Sequence, residues 1–269
     1  MEFGLFTCGY QHTALETAFA DAAAFHYDYI ELWGGRPHAY APDLMRGGAA
    51  DILRLTERYA MRVKVYTPEH NAYPFNYMLG GDSQWRDSVD YLTLAVEAGA
   101  AIGADYTLVS CGHGGGAPYE ARWQRLIRTL ERLAGVAERV GRAILLETLT
   151  PYESDTLTTL GELKRAIEEV GSPHLFGMCD VVSPFVQGED PADYARLLGG
   201  SLRHMHLVDS DGSSEDHLLP GDGIMPLKRI LRDMRGAGYD GTATIELVTK
   251  YMHDPSGSAK KAVERARKL

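Results

Sequence analysis

The chain has 269 residues, 45% of them apolar, enough for a sizeable core and a length that suits one α/β barrel as well as two ordinary domains. Lysine and arginine total 27 against 37 acidic residues, a formal charge of -10, and an acidic surface repels phosphate backbones, which argues against a nucleic-acid partner. The first residues carry no basic segment followed by an apolar stretch, and no uncharged run approaches the ~20 residues of a membrane helix, so a soluble cytoplasmic protein without a membrane partner is expected.

In chain order, short apolar runs alternate with longer segments of helical spacing. Residues 3–7, 27–33 and 62–66 read as the first three strands, 106–110 as the fourth and 143–147 as the fifth. Residues 175–180, 202–207 and 242–247 complete a set of eight. Between them, Tyr91, Leu94, Ala95, Ala98 and Ile102 fall on one helical stripe, and Leu126, Leu130, Leu133, Ala134, Ala137 and Val140 on another. Gly103, Gly141, Gly171 and Gly238 stand just before strands four, five, six and eight, where a helix needs a left-handed exit.

No Pro/Gly/Ser-rich linker or charge block divides the chain, so one domain over 1–269 is expected. Eight βα units in that length predict a (β/α)8 TIM barrel. A doubly wound sheet would advertise a phosphate loop after an early strand. The only glycine cluster, Gly112-His113-Gly114-Gly115-Gly116, fits neither dinucleotide nor Walker spacing and reads as a flexible loop of the active face.

Cys8, Cys111 and Cys179 are odd in number and widely spaced, which speaks for reduced thiols rather than a disulfide framework or zinc knuckle. Cys111 lies close to His113 in sequence, but a packed thiol outweighs a nucleophile there.

Four residues, Glu147, Asp180, His206 and Glu246, each end an apolar run. Side chains alternate along a strand, so Ala143, Leu145 and Glu147 share a face, as do Thr242, Thr244 and Glu246, and His204 and His206. The opposite faces, with Ile144, Leu146, Ala243, Ile245 and Leu247, suit a helix layer. Strand ends of a barrel share one rim. Three carboxylates crowded there without a counter-charge raise one another's pKa and cost stability, and a divalent cation removes that conflict. Oxygen-rich ligation with one imidazole favours manganese or a similar ion, with cobalt and magnesium left open. Any one of these residues alone is more ordinary, a solvated loop carboxylate or a hydrogen-bonded interior histidine.

The segments Glu31-Leu32-Trp33-Gly34-Gly35-Arg36-Pro37-His38, Tyr66-Thr67-Pro68-Glu69, Leu149-Thr150-Pro151-Tyr152-Glu153-Ser154, His206-Leu207-Val208-Asp209-Ser210-Asp211-Gly212 and Glu246-Leu247-Val248-Thr249 resemble the fructoselysine 3-epimerase family of the xylose-isomerase-like TIM-barrel superfamily. The resemblance runs over nearly the whole chain. It implies a metal-dependent ketose 3-epimerase interconverting fructoselysine and psicoselysine, with Glu147, Asp180, His206 and Glu246 at the ligand positions. Glu147 and Glu246 also match the family's pair of catalytic acids. Glu153 matches a glutamate near the reacting hydroxyls, and His217 a basic residue set against the substrate.

One departure stands out: related barrels often carry histidine three residues beyond the metal-binding aspartate, whereas Asp180 is followed by Val181-Val182-Ser183. That points to a specialised substrate. Phe6 and Trp33 are candidates for an apolar floor under a sugar or a linker chain. Glu31 and Glu69 are expected either to meet a substrate ammonium or to be solvated rim acids. The expected partner is therefore a small ketose or glycated amino acid, and assembly into a homo-oligomer is compatible with the chain. Competing readings are an epimerase of free ketohexoses such as tagatose or psicose, an endonuclease-like hydrolase, and a sugar-binding barrel without catalysis. The charge of -10 disfavours the hydrolase, and the presence of both Glu147 and Glu246 disfavours the inert barrel.

Overall fold

A computed structural model describes residues 1–269. Eight strands, β1 (Glu2–Phe6), β2 (Tyr29–Gly34), β3 (Val63–Pro68), β4 (Tyr106–Val109), β5 (Ala143–Leu146), β6 (Leu175–Asp180), β7 (Leu202–His206) and β8 (Thr242–Ile245), follow one another around a closed barrel. Every neighbouring pair is parallel, and β1 closes on β8 with Gly4 opposite Thr244. This is the expected (β/α)8 barrel. Closure leaves no exposed strand edge, because each strand's backbone groups are paired on both sides.

Helices Leu15–Ala24, Ala49–Tyr59, Asp82–Ala101, Tyr119–Arg139, Leu160–Val170, Pro191–Leu198, Leu227–Gly236 and Pro255–Ala266 form the outer layer. The stripe Leu126, Leu130, Leu133, Ala134 and Ala137 is buried against the barrel as its spacing requires. In Asp82–Ala101, Tyr91, Ala95 and Ala98 are buried, as is Ile102 just beyond its end, but Leu94 is only half-buried and Leu92 takes the deeper place. A helix wedged between the barrel and two neighbours buries more than one narrow stripe, so the lateral position of Leu92 also finds a partner surface. Gly103, Gly141, Gly171 and Gly238 all adopt positive φ, between 61° and 91°. No helix is long and apolar enough to cross a membrane.

The alternation along the strands sorts two cores. Ile144, Leu146, Ala243 and Ile245 face the helices in the main cluster, while Val65, Leu108, Leu145 and Met178 fill the barrel interior. On β1 and β2 the inward set is Gly4 and Phe6, and Tyr29, Glu31 and Trp33. A Cβ at Gly4 would lie 2.2 Å from the Tyr29 ring, so only glycine leaves room for the tyrosine that hydrogen-bonds Thr244 across the barrel (2.9 Å). This packed floor supports the carboxyl ends of the strands, where polar side chains replace apolar ones.

Candidate metal centre and its pocket

Above the apolar floor the inward positions become ionisable. Glu147 follows Leu145 on the interior face of β5, Asp180 ends β6, His206 ends β7, and Glu246 follows Thr244 beyond β8. The structure brings these four together: Nδ1 of His206 lies 2.8 Å from Glu246 Oε2, 3.6 Å from Glu147 Oε1 and 3.7 Å from Asp180 Oδ2. His217, arriving from the loop after β7, adds a fifth member, with Nε2 3.1 Å from Asp180 Oδ2 and Nδ1 3.4 Å from Glu246 Oε2.

Burial makes this grouping electrostatically demanding. It raises the Glu147 carboxyl well above its ordinary range, and the Glu246 and Asp180 charges add to the effect against the pull of His206. Burial likewise works against ionisation of Asp180, but His217 and His206 beside it hold that carboxyl well below its usual range. His217 is pushed up to about 10, because Asp180 and Glu246 outweigh the desolvation that opposes its charge. The two imidazoles thus stand where positive charge is wanted.

The donor set fits a hard divalent ion. Glu147, Asp180 and His206 offer one ligand atom each within 4.8 Å of one another, and so do Asp180, His217 and Glu246. Nδ1 of His206 is also buried without a properly directed hydrogen bond. A buried ring nitrogen facing three carboxylates, with no aligned partner of its own, is what a cation would satisfy.

The site opens into a cavity of about 560 Å³. Phe6 and Trp33 line one side, the Phe6 ring tilted against His206 at 5.9 Å and the Trp33 indole N–H donating to Glu69. Glu153 lines the cavity and also accepts from the Thr150 hydroxyl (2.9 Å) and amide (3.3 Å), so it orders its loop while facing the pocket. Burial raises its carboxyl. Ser183 lines the same cavity, and the amide of Val182 donates to Asp180 Oδ1 (2.7 Å), fixing that carboxylate.

Several expectations change. Glu31 is no rim acid: it is fully buried, with Oε2 3.0 Å from Nε2 of His204 and Oε1 3.2 Å from Nε2 of His206. Inward parity on β2 carries it beneath the imidazole rather than to solvent. Glu69 is exposed at the cavity. The loop Gly112–Gly116 does not line the cavity and is held by Asp155, which accepts from the Gly114 amide (2.9 Å), and by Asn76, which donates to the His113 carbonyl (3.0 Å). Cys111 is buried beside Ser154, and burial pushes its thiol up to about 12, the behaviour of a packed thiol.

His70, which the sequence places in a polar loop after the third strand without a role, donates from Nδ1 to the Pro68 carbonyl (2.6 Å) and accepts at Nε2 from the Ser110 amide (2.8 Å). Its signal was weak, since only the fold brings the loop after β3 against the end of β4.

Comparisons with known proteins agree with this fold. A family model described as a xylose isomerase-like TIM barrel matches residues 19–269. Over its whole length the chain is 46% identical to fructoselysine 3-epimerase of Shigella flexneri, covering 98% of that protein. Among solved structures, D-allulose 3-epimerase from Methylomonas sp. in complex with D-allulose superposes with a TM-score of 0.84 at 20% identity, over 100% of this chain and 96% of the other. The IOLI protein with a bound zinc atom superposes with a TM-score of 0.82 at 15% identity, over 100% and 97%. At those identities the two structures speak for the fold alone.

Proposed function

Since this chain belongs to the xylose isomerase-like TIM barrel family, we propose that it is a divalent-metal-dependent carbohydrate 3-epimerase that interconverts fructoselysine and psicoselysine. The chemistry is carried by one observation, the meeting of Glu147, Asp180 and Glu246 around a single buried imidazole nitrogen. The substrate is supported by the full-length likeness to a fructoselysine 3-epimerase.

In this reading Glu147, Asp180, His206 and Glu246 hold the ion, manganese or a close relative. When bound, that ion supplies Lewis acidity toward the C2 ketone and the C3 hydroxyl of the sugar. The two glutamates do the proton chemistry. One removes the C3 proton, the C–H pair moves into the C2–C3 bond and charge shifts onto the C2 oxygen. Its counterpart then delivers a proton to the opposite face of C3 and the ketone re-forms, which inverts that carbon. His217 and Glu153, both at the cavity wall, position the hydroxyls, and Phe6 and Trp33 provide the apolar side against which the sugar or its linker rests.

The charge of the cavity supports a cationic substrate. Its wall holds Glu69, Glu147, Glu153, Asp180 and Glu246 but no lysine or arginine. With one of the two glutamates carrying the proton it delivers, the four remaining carboxylates still exceed the three positive charges of a divalent ion and one imidazolium, so an ammonium-bearing ketose is favoured there and a phosphorylated one disfavoured. Turnover in deuterated water tests the proposal. With manganese present, C3 of fructoselysine should acquire deuterium as psicoselysine forms, while free psicose and tagatose react more slowly. Bound metal without label at C3 would remove epimerisation, and faster reaction of the free ketohexoses would move the substrate assignment to them.

A further inference from the structure

Beneath the metal centre lies a second polar layer that the chemistry above does not use. Glu31, His204 and Thr67 come from β2, β7 and β3, and both Glu31 and His204 are fully buried. Oε1 of Glu31 accepts from the Thr67 hydroxyl (2.7 Å) and lies 3.2 Å from His206 Nε2; Oε2 lies 3.0 Å from His204 Nε2 and 3.3 Å from His206 Nε2. On its other side, His204 Nδ1 meets the Thr242 hydroxyl at 2.8 Å.

A buried carboxylate needs donors on its lone pairs, since an unpaired charge there is costly. Three are present, and two are ring nitrogens. An unprotonated Nε2 facing an ionised oxygen would be repelled, so each imidazole directs an Nε2–H at Glu31. For a neutral His206 that choice leaves the lone pair on Nδ1, the nitrogen aimed at Glu147, Asp180 and Glu246. The opposite tautomer would place N–H toward the ion.

We infer that Glu31 is a positioning residue for the metal centre: it fixes His206 in the tautomer and orientation that present Nδ1 for ligation, and His204 and Thr67 hold Glu31 in place. Carboxylates behind ligating histidines typically account for a 10–100-fold change in metal affinity. His204 supplies the donor that keeps Glu31 from swinging wholly to His206, and its own position is set by the Thr242 contact. The inference rests on the metal-binding reading above.

The test uses metal-freed full-length protein titrated with manganese, comparing wild type with Glu31→Gln and the milder Thr67→Val. Glu31→Gln puts an amide N–H2 against at least one imidazole donor while keeping the side chain's shape. Its manganese affinity should fall by about 10–100-fold with wild-type circular dichroism, and saturating metal should restore most of kcat. Thr67→Val should weaken binding in the same direction and by less. In ¹⁵N-histidine spectra of zinc-loaded wild type, His206 should show a metal-bound Nδ1 and a protonated, hydrogen-bonded Nε2. That measurement decides the matter even if Glu31→Gln does not fold. Wild-type affinity in a folded Glu31→Gln, or ligation through Nε2, overturns the inference; a wild type that binds no metal overturns the metal reading itself.

Discussion

Glu147 and Glu246 face the same imidazole nitrogen from the ends of different strands, and in the proposed reaction each has a role that its amide cannot fill. Glu246→Gln preserves size and hydrogen-bonding reach but removes the base. We expect a folded protein whose epimerisation rate falls by at least about 100-fold, the low end for loss of a general acid or base; normal turnover with metal present would end the two-base assignment. His70 makes a prediction of a different kind. Burial lowers it to about 4 from an ordinary 6.5, and its Nε2 must stay unprotonated to accept the Ser110 amide. Below pH 6.5 the unfolded chain therefore binds a proton that the folded chain refuses. The contribution is complete above pH 6.5, declines as pH falls, and levels off near pH 4 after a loss of up to about 3 kcal/mol. Denaturant titrations at pH 7 and pH 5 should show a larger drop for wild type than for His70→Gln. Residues at strand ends were legible because alternation assigns each an inward or outward face. Glu31 and His70 were not, since a strand position does not say how deep in a barrel it lies or which loop will fold over it.

At the scale of elements, local signals carry most of the explanation. The helix Leu160–Val170 starts with a capping box in which the Thr159 hydroxyl accepts from the Glu162 amide and Glu162 accepts from the Thr159 amide (3.1 Å), and it ends at Gly171 with φ 61°. Thr159→Ala should cost about 1 kcal/mol, read as a shift of the denaturation midpoint at constant slope. The interior of β1 is less forgiving. Gly4→Ala sets a methyl 2.2 Å from the Tyr29 ring, so the tyrosine must move and loosen its bond to Thr244. A loss of about 1–3 kcal/mol is expected from such overpacking, and unchanged stability would show that the floor of the barrel yields easily. Residues 175–180 match β6 at both ends, while other strand ends shift by one or two residues from their sequence bounds. Thr7, for instance, leaves β1 for the turn Thr7–Tyr10, where its hydroxyl accepts from the Trp33 amide (2.9 Å). A propensity window has no knowledge of that distant partner.

The whole molecule is a closed ring of strands, and closure is what joins β2 to β7 across 175 positions of sequence in the Glu31 to His206 contact. It also concentrates acids at one rim of a chain that already carries a charge of -10. Metal binding should therefore stabilise the folded chain as a whole: at an ion concentration 100 times Kd the linkage is about 2.7 kcal/mol. Thermal unfolding with added manganese and then with excess chelator should show the difference as a fall in Tm. A Tm indifferent to both, in protein shown to bind manganese at its native state, would mean that the unfolded chain binds the ion equally well. The order of strands and helices, the helix exits at glycine and the inward set Glu147, Asp180, His206 and Glu246 were all determined by the sequence alone, because periodicity and parity are properties of neighbouring residues. Only the tertiary structure decided that Glu31 lies under His206, that His217 joins the carboxylates, and that the glycine loop stands outside the cavity. Those facts depend on depth, loop path and the side chains met across the barrel, which no stretch of neighbouring residues contains.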